Sequence, residues 1–195
     1  GSNLSATRVN ADGLIEKGRE NFLLQSNQFD TTWTATNASV TSGQSGYDGS
    51  SDAWLLERNG TFGQVIQSIT NSGVQTFSVY AKADSLNWIR LTQGSPNAYF
   101  DLSGSGAVGQ VTQCIDATIE SIGGGWFKCA ITSNVSLTNV RIYLANGNND
   151  LSGTAGSVYI QDAQLEIGLA ASEPIESGAS TAQAGILEDM PRLDY

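Results

Sequence analysis

Thr76-Phe-Ser-Val-Tyr-Ala-Lys-Ala83, Leu86-Asn-Trp-Ile-Arg-Leu-Thr-Gln93 and Asn97-Ala-Tyr-Phe-Asp-Leu102 each set apolar residues at every second position. That period belongs to a strand with one buried face, because successive side chains of a strand point to opposite sides. The same signal continues outward in Val111 to Ile122, Trp126 to Thr132, Asn139 to Ala145 and Ser157 to Ile167, and more weakly in Phe22 to Gln25, Ala53 to Arg58 and Gly63 to Thr70. About ten short strands punctuated by Gly, Asn and Ser predict an all-β chain, a two-sheet antiparallel β-sandwich rather than a small barrel.

Alternation also sorts the faces. Ile89 and Leu91 share one parity, so Trp88, Arg90 and Thr92 take the other; likewise Tyr99 and Asp101 turn away from Ala98 and Phe100, and Arg141 and Tyr143 from Val140 and Ile142. Tyr80 and Lys82 leave the Phe77, Val79 and Ala81 side, and Trp126 and Lys128 leave the Phe127 and Cys129 side. All five strands place an aromatic on the non-core face. Aromatic rings beside planar or amide donors suit the apolar faces and hydroxyl rims of sugars. The competing reading is that Tyr and Trp are good strand formers covered by loops or by a neighbouring subunit.

Composition narrows the function. The 195 residues are 39% apolar, which supports a folded core, and no apolar run approaches the ~20 residues of a membrane-spanning helix. Nine Lys and Arg against 19 Asp and Glu give a net charge of -10, so nucleic acid would be repelled. There is no His, which removes the usual general base of nucleophilic hydrolases and the commonest zinc ligand. Between Thr76 and Ala145 four basic residues face four acidic ones, so this composition alone suits a neutral polysaccharide as well as a charged one. Gly123-Gly-Gly125 reads as a hairpin turn, placing Cys129 opposite a residue near Ile119 and away from Cys114; two buried thiols are therefore expected in place of a disulfide. Gly1-Ser2 reads as a tag remnant, and residues 1–20 and 169–195 as connectors flanking a domain at 21–168.

Several motifs resemble a known family. Asn21-Phe-Leu-Leu-Gln-Ser-Asn27-Gln-Phe29-Asp30-Thr-Thr-Trp33 is similar to the opening of the family 4, 9 and 22 carbohydrate-binding modules, Gln67 and Gly125-Trp126 follow in order, and Val158-Tyr-Ile-Gln-Asp162-Ala-Gln-Leu165 resembles their closing strand. The resemblance implies a jelly roll. It also implies a structural calcium held by Asp30 and Asp162, although Gln161 stands where relatives often have a second Asp and backbone carbonyls would have to complete the shell. The alternative is a turn-capping Asp30 and a solvent-facing Asp162. The wording of Gly18 to Asn27 and of Pro191-Arg-Leu-Asp-Tyr195 is closer still to bacteriophage tail and virion modules, which implies a piece of a longer tail protein on the outer side of a virion.

Three functions compete. The first is a non-catalytic glycan-binding module for host adhesion, with Trp88, Tyr99 and Tyr143 stacking on sugar rings and Arg90, Gln93, Asp101 and Arg141 fixing hydroxyls. The second is a structural or oligomerisation module, in a homotrimer or against other tail proteins, with Leu14-Ile15 and the apolar turn Ile186 to Met190 as contacts. The third is an enzyme using Asp101 with Glu120, or Asp52 with Glu57, which the abundance of surface acids argues against.

Overall fold

A computed structural model describes residues 7–9 and 15–183, with side chains from residue 18 onward. The described residues contain sixteen strands and no helix. They are β1 (Thr7–Val9), β2 (Ile15–Lys17), β3 (Glu20–Asn21), β4 (Thr34–Thr36), β5 (Ala38–Gln44), β6 (Ala53–Arg58), β7 (Gln64–Asn71) and β8 (Val74–Ala83). There follow β9 (Trp88–Gln93), β10 (Asn97–Asp101), β11 (Ala107–Thr112), β12 (Asp116–Gly123), β13 (Trp126–Asn134), β14 (Leu137–Ala145), β15 (Gly156–Ile167) and β16 (Ala182–Gln183). Two six-stranded antiparallel sheets face each other, one ordered β4-β7-β14-β9-β10-β11 and the other β5-β6-β15-β8-β13-β12. Consecutive strands repeatedly change sheet, which is the jelly-roll winding. Two short pairs, β1-β2 and β3-β16, stand apart from the sheets.

The core forms where the inward parities of the two sheets meet. Ile89, Leu91, Phe100, Val140, Ile142 and Leu144 from one sheet pack against Phe77, Val79, Phe127, Cys129, Ile131 and Ile160 from the other, all buried. In β15 the period slips by one at Asp162, whose φ of 50° marks a bulge between Gln161 and Gln164. The slip lets Val158 and Ile160 before it, and Ala163 and Leu165 after it, all face inward.

The opening motif closes one end of the sandwich. Asn21 Nδ2 donates to Ala163 O (3.1 Å) and Ile175 O (2.9 Å), while its Oδ1 accepts from Leu23 N and Leu165 N. Gln67 grips Leu24 through both backbone groups at 2.8 Å. Phe29 packs on Trp33 with ring centroids 5.1 Å apart. Backbone groups that would otherwise be buried unpaired are thus satisfied by side chains.

Several expectations change. Val111 to Ile122 is two strands in different sheets, broken at Gln113, whose φ is 57°. Phe22 to Gln25 is a turn region following β3. Strands β4 and β5 gave too little alternation to stand out because both are largely exposed polar edge strands. The stretch expected as a C-terminal connector is packed on the sandwich as far as β16, with Ser177 buried and its hydroxyl donating to Leu23 O at 2.6 Å. Both thiols are free as expected, but Cys129 alone is buried and Cys114 is half-buried; Ile119 pairs with Cys129, again as expected, across a hairpin whose three glycines have φ of 95°, 62° and 81°. Burial pushes the Cys114 thiol up to about 11. The turn expected at Ile186 to Met190, the side chains of Leu14-Ile15 and the segment Pro191 to Tyr195 lie outside the described residues.

Candidate functional site

Strand register brings six of the seven expected ligand residues onto one surface, the outer face of the β4-β7-β14-β9-β10-β11 sheet. Across it Tyr99 pairs with Arg90, Arg90 with Tyr143 and Tyr143 with Gln64; the next row is Asn97, Thr92, Arg141 and Ile66, and the row on the other side is Asp101, Trp88 and Ala145. Four strands at about 4.8 Å spacing make each long row about 14 Å wide.

Gln93 is a correction. It has the inward parity of Ile89 and Leu91, is fully buried between the sheets, accepts from Ser133 Oγ (2.5 Å) and donates to Gln75 O (3.2 Å). It serves the core.

The stacking expected of the tyrosines also needs correction. Tyr99 and Tyr143 are 4% and 7% exposed, because the Arg90 guanidinium lies between them, 5.5 Å and 5.4 Å from their ring centroids. Only Trp88 of the three aromatics is half-buried, packed beside Leu151, Ala145 and the two tyrosines. Arg141 donates from Nε to Asn139 Oδ1 (3.0 Å) and from Nη1 to the Tyr143 hydroxyl (2.8 Å). Asp101 Oδ1 accepts from Ser103 N (3.0 Å) and Oγ (2.7 Å), so this oxygen serves its own turn.

One loop, residues 146–155, walls this face, and its supports carry no alternation signal. Arg58, buried beneath it, donates to Asn146 Oδ1 (2.5 Å) and Ala155 O (2.8 Å), and burial lowers its pKa. Asn148 Oδ1 accepts from Gln110 N at 2.6 Å, tying the loop to β11. Gly109 is needed there, since a Cβ would stand 2.5 Å from Asn148 Oδ1 and 2.7 Å from Trp88 Cζ3. Asp150 forms an Asx-type turn with Ser152, whose hydroxyl and amide hold the carboxylate below its usual range.

The observation that singles out this face concerns unpaired polar atoms. Five buried side-chain polar atoms lack a partner among the described residues, and three of them, Gln64 Oε1, Arg90 Nε and Thr92 Oγ1, belong to neighbouring register positions on this face. Buried polar atoms are normally paired, and this concentration of exceptions marks the face whose polar groups the chain's own loops do not satisfy.

Four aromatics, Tyr47, Tyr80, Trp126 and Tyr159, lie on the opposite outer face. Tyr47 stacks on Tyr80 (4.0 Å, 9°) and meets Trp126 edge-on (6.1 Å). Its hydroxyl donates to Asp162 Oδ2 at 2.8 Å. Burial, with Asp52, Glu176 and Asp48 adding and the Tyr47 hydroxyl opposing, raises Asp162 to about 6. Asp30 is exposed and accepts from Thr31 Oγ1. Among the described residues no three His, Cys, Asp or Glu side chains are grouped as metal donors; the expected calcium site calls for two carboxylates completed by backbone carbonyls. The carboxylate pairs are separated too. Asp101 and Glu120 lie on opposite outer faces, and Asp52 is five residues of extended chain from Glu57, about 16 Å.

No protein-family model and no curated protein matches the chain. Among solved structures it is similar to the CBM22-1 and GH10 modules of Clostridium thermocellum endo-1,4-beta-D-xylanase 10B complexed with xylohexaose, with a TM-score of 0.45 and 10% identity over 81% of this chain and 29% of that one. It is similar to the enzymatically active domain of bacteriophage CBA120 tailspike protein 4, with a TM-score of 0.44 and 15% identity over 75% of this chain and 21% of that one. The xylan-binding CBM22-1 domain of Paenibacillus barcinonensis Xyn10C gives a TM-score of 0.41 and 17% identity over 78% and 94% of the two chains. The chain thus spans less than a third of the first two proteins.

Proposed function

We propose that this chain is a non-catalytic glycan-binding module, and that it works in host adhesion on a bacteriophage tail or virion. The observation carrying the first part is one sheet face on which half-buried Trp88 shares the surface with Arg90 and Arg141, neither of them paired with a carboxylate among the described residues. A sugar fits such a patch because its hydroxyls both donate and accept while its ring covers apolar surface. The virion setting rests on the resemblance carried by residues 18–27 and 191–195. Contacts are few, so single-site affinity is expected between millimolar and micromolar, with several copies supplying avidity.

The test is a polysaccharide pulldown screen of the purified chain, with calcium and with chelator, paired with light scattering. Saturable retention on one polysaccharide class supports the reading, and its loss with chelator would support a calcium held by Asp30 and Asp162. Retention on none, together with a stable trimer, would replace it with the structural module.

A further inference from the structure

Resting on the glycan-binding reading, we infer that the ligand carries carboxylate groups and that Arg90 and Arg141 bind them. The two arginines sit on adjacent strands, Arg141 opposite Thr92, which puts them on the diagonal of one face at about 7–8 Å. In a chain with 19 acidic and nine basic residues an arginine should readily find a carboxylate. Neither does: among the described residues no ion pair engages either side chain. Arg90 is held flat by two tyrosine rings, its Nε buried out of a ligand's reach and its two terminal nitrogens without a hydrogen-bond partner among the described residues, and Arg141 spends Nε and Nη1 on Asn139 and Tyr143, leaving Nη2. Both guanidinium groups are fixed in place with donors unused.

A planar fork of N–H donors matches a carboxylate, and the match is better when packing already holds the fork. A neutral sugar needs no pair of cations. Nor does the site suit a nucleic-acid backbone, which takes a run of basic side chains where this face offers two. The net charge of -10 makes indiscriminate attraction of polyanions unfavourable, and at ~0.15 M salt, with a Debye length of about 8 Å, only groups in the patch decide binding. Packing between the tyrosines accounts for the place of Arg90, and two hydrogen bonds account for the place of Arg141, yet neither uses Arg141 Nη2 or the terminal nitrogens of Arg90.

The experiment measures retention of the full chain on polygalacturonate, alginate and hyaluronan, on the same polymers with their carboxylates reduced to alcohols, and on neutral xylan, mannan and β-glucan. The expected result is retention on at least one carboxylated polymer, weakened tenfold or more by reduction. Arg141→Gln and Arg90→Gln should each weaken retention tenfold or more, and Arg90→Lys, which keeps the charge over the rings, should fall between; circular dichroism checks folding. Equal retention on reduced polymer, or retention on neutral polymers alone, would overturn the inference and leave the glycan-binding reading standing. Retention on nothing would remove both.

Discussion

The two outer faces of the sandwich carry similar aromatics and have opposite fates. On the β5-β6-β15-β8-β13-β12 sheet, Tyr80 and Trp126 are covered by the chain's own Tyr47, Gln161 accepts from Tyr47 N and donates to Asp52, and Lys128 donates to Ser172 O at 2.7 Å. Thr76 and Thr132 likewise donate to Gly168 O and Leu169 O. On the other sheet, the 146–155 loop covers one end and leaves two arginines, Gln64 and Thr92 with unused hydrogen-bonding capacity. An aromatic on a non-core face is therefore no evidence of a ligand surface by itself. What distinguishes the faces is whether the chain has already satisfied the polar groups around the ring.

The contrast can be broken from either side. Tyr47→Ala removes an aromatic stack and a hydrogen bond to Asp162, and should destabilise the fold by about 2–4 kcal/mol in urea titration while glycan retention per folded molecule stays unchanged. A matching loss of retention would make both faces part of the site. The second effect is pH-dependent. Asp162 is raised to about 6, so the native state holds its proton more tightly than the unfolded chain; the stabilisation is present below about pH 4 and lost as pH rises through about 6. Asp162→Asn should remove that part of the slope, roughly 3 kcal/mol, and an unchanged stability profile would show that Asp162 titrates normally.

Trp88→Ala should reduce retention tenfold or more, with a smaller stability loss than Tyr47→Ala because the ring is half-buried. Undiminished retention would exclude Trp88 from the contact. The smallest expected effect is the sharpest: Gln64→Met removes a buried oxygen that has no partner and lies out of a ligand's reach, so stability should change by less than about 1 kcal/mol and calorimetric affinity should stay within about twofold. A clear destabilisation with affinity intact would assign Gln64 a structural role.

Much of the fold was legible because strand parity is local. Ile89, Phe100 and Ile142 sit inside, Arg90, Tyr99 and Tyr143 outside, and Ile119 opposite Cys129, all as the alternation and the glycine hairpin require. Gln93 shows the limit of reading by residue type: its parity points inward while its polarity suggests a surface, and the core accepts it because Ser133 and Gln75 satisfy its amide. Strands β4 and β5 escape the reading because β4 is exposed throughout and β5 turns only Ala38 and Val40 toward the core, too short a pattern to stand out, and Arg58 and Gly109 because their roles depend on a loop more than thirty residues away in sequence.

The sequence by itself determined the sandwich, the parity of each strand and the absence of histidine chemistry, since all three are properties of neighbouring residues or of composition. Tertiary structure alone decided that Trp88, Arg90, Tyr99, Asp101, Arg141 and Tyr143 share one face while Tyr80 and Trp126 share the other. Parity says which side of its own sheet a residue takes, but which strands become neighbours is settled by the winding of the whole chain and by the loops that then cover one face and spare the other.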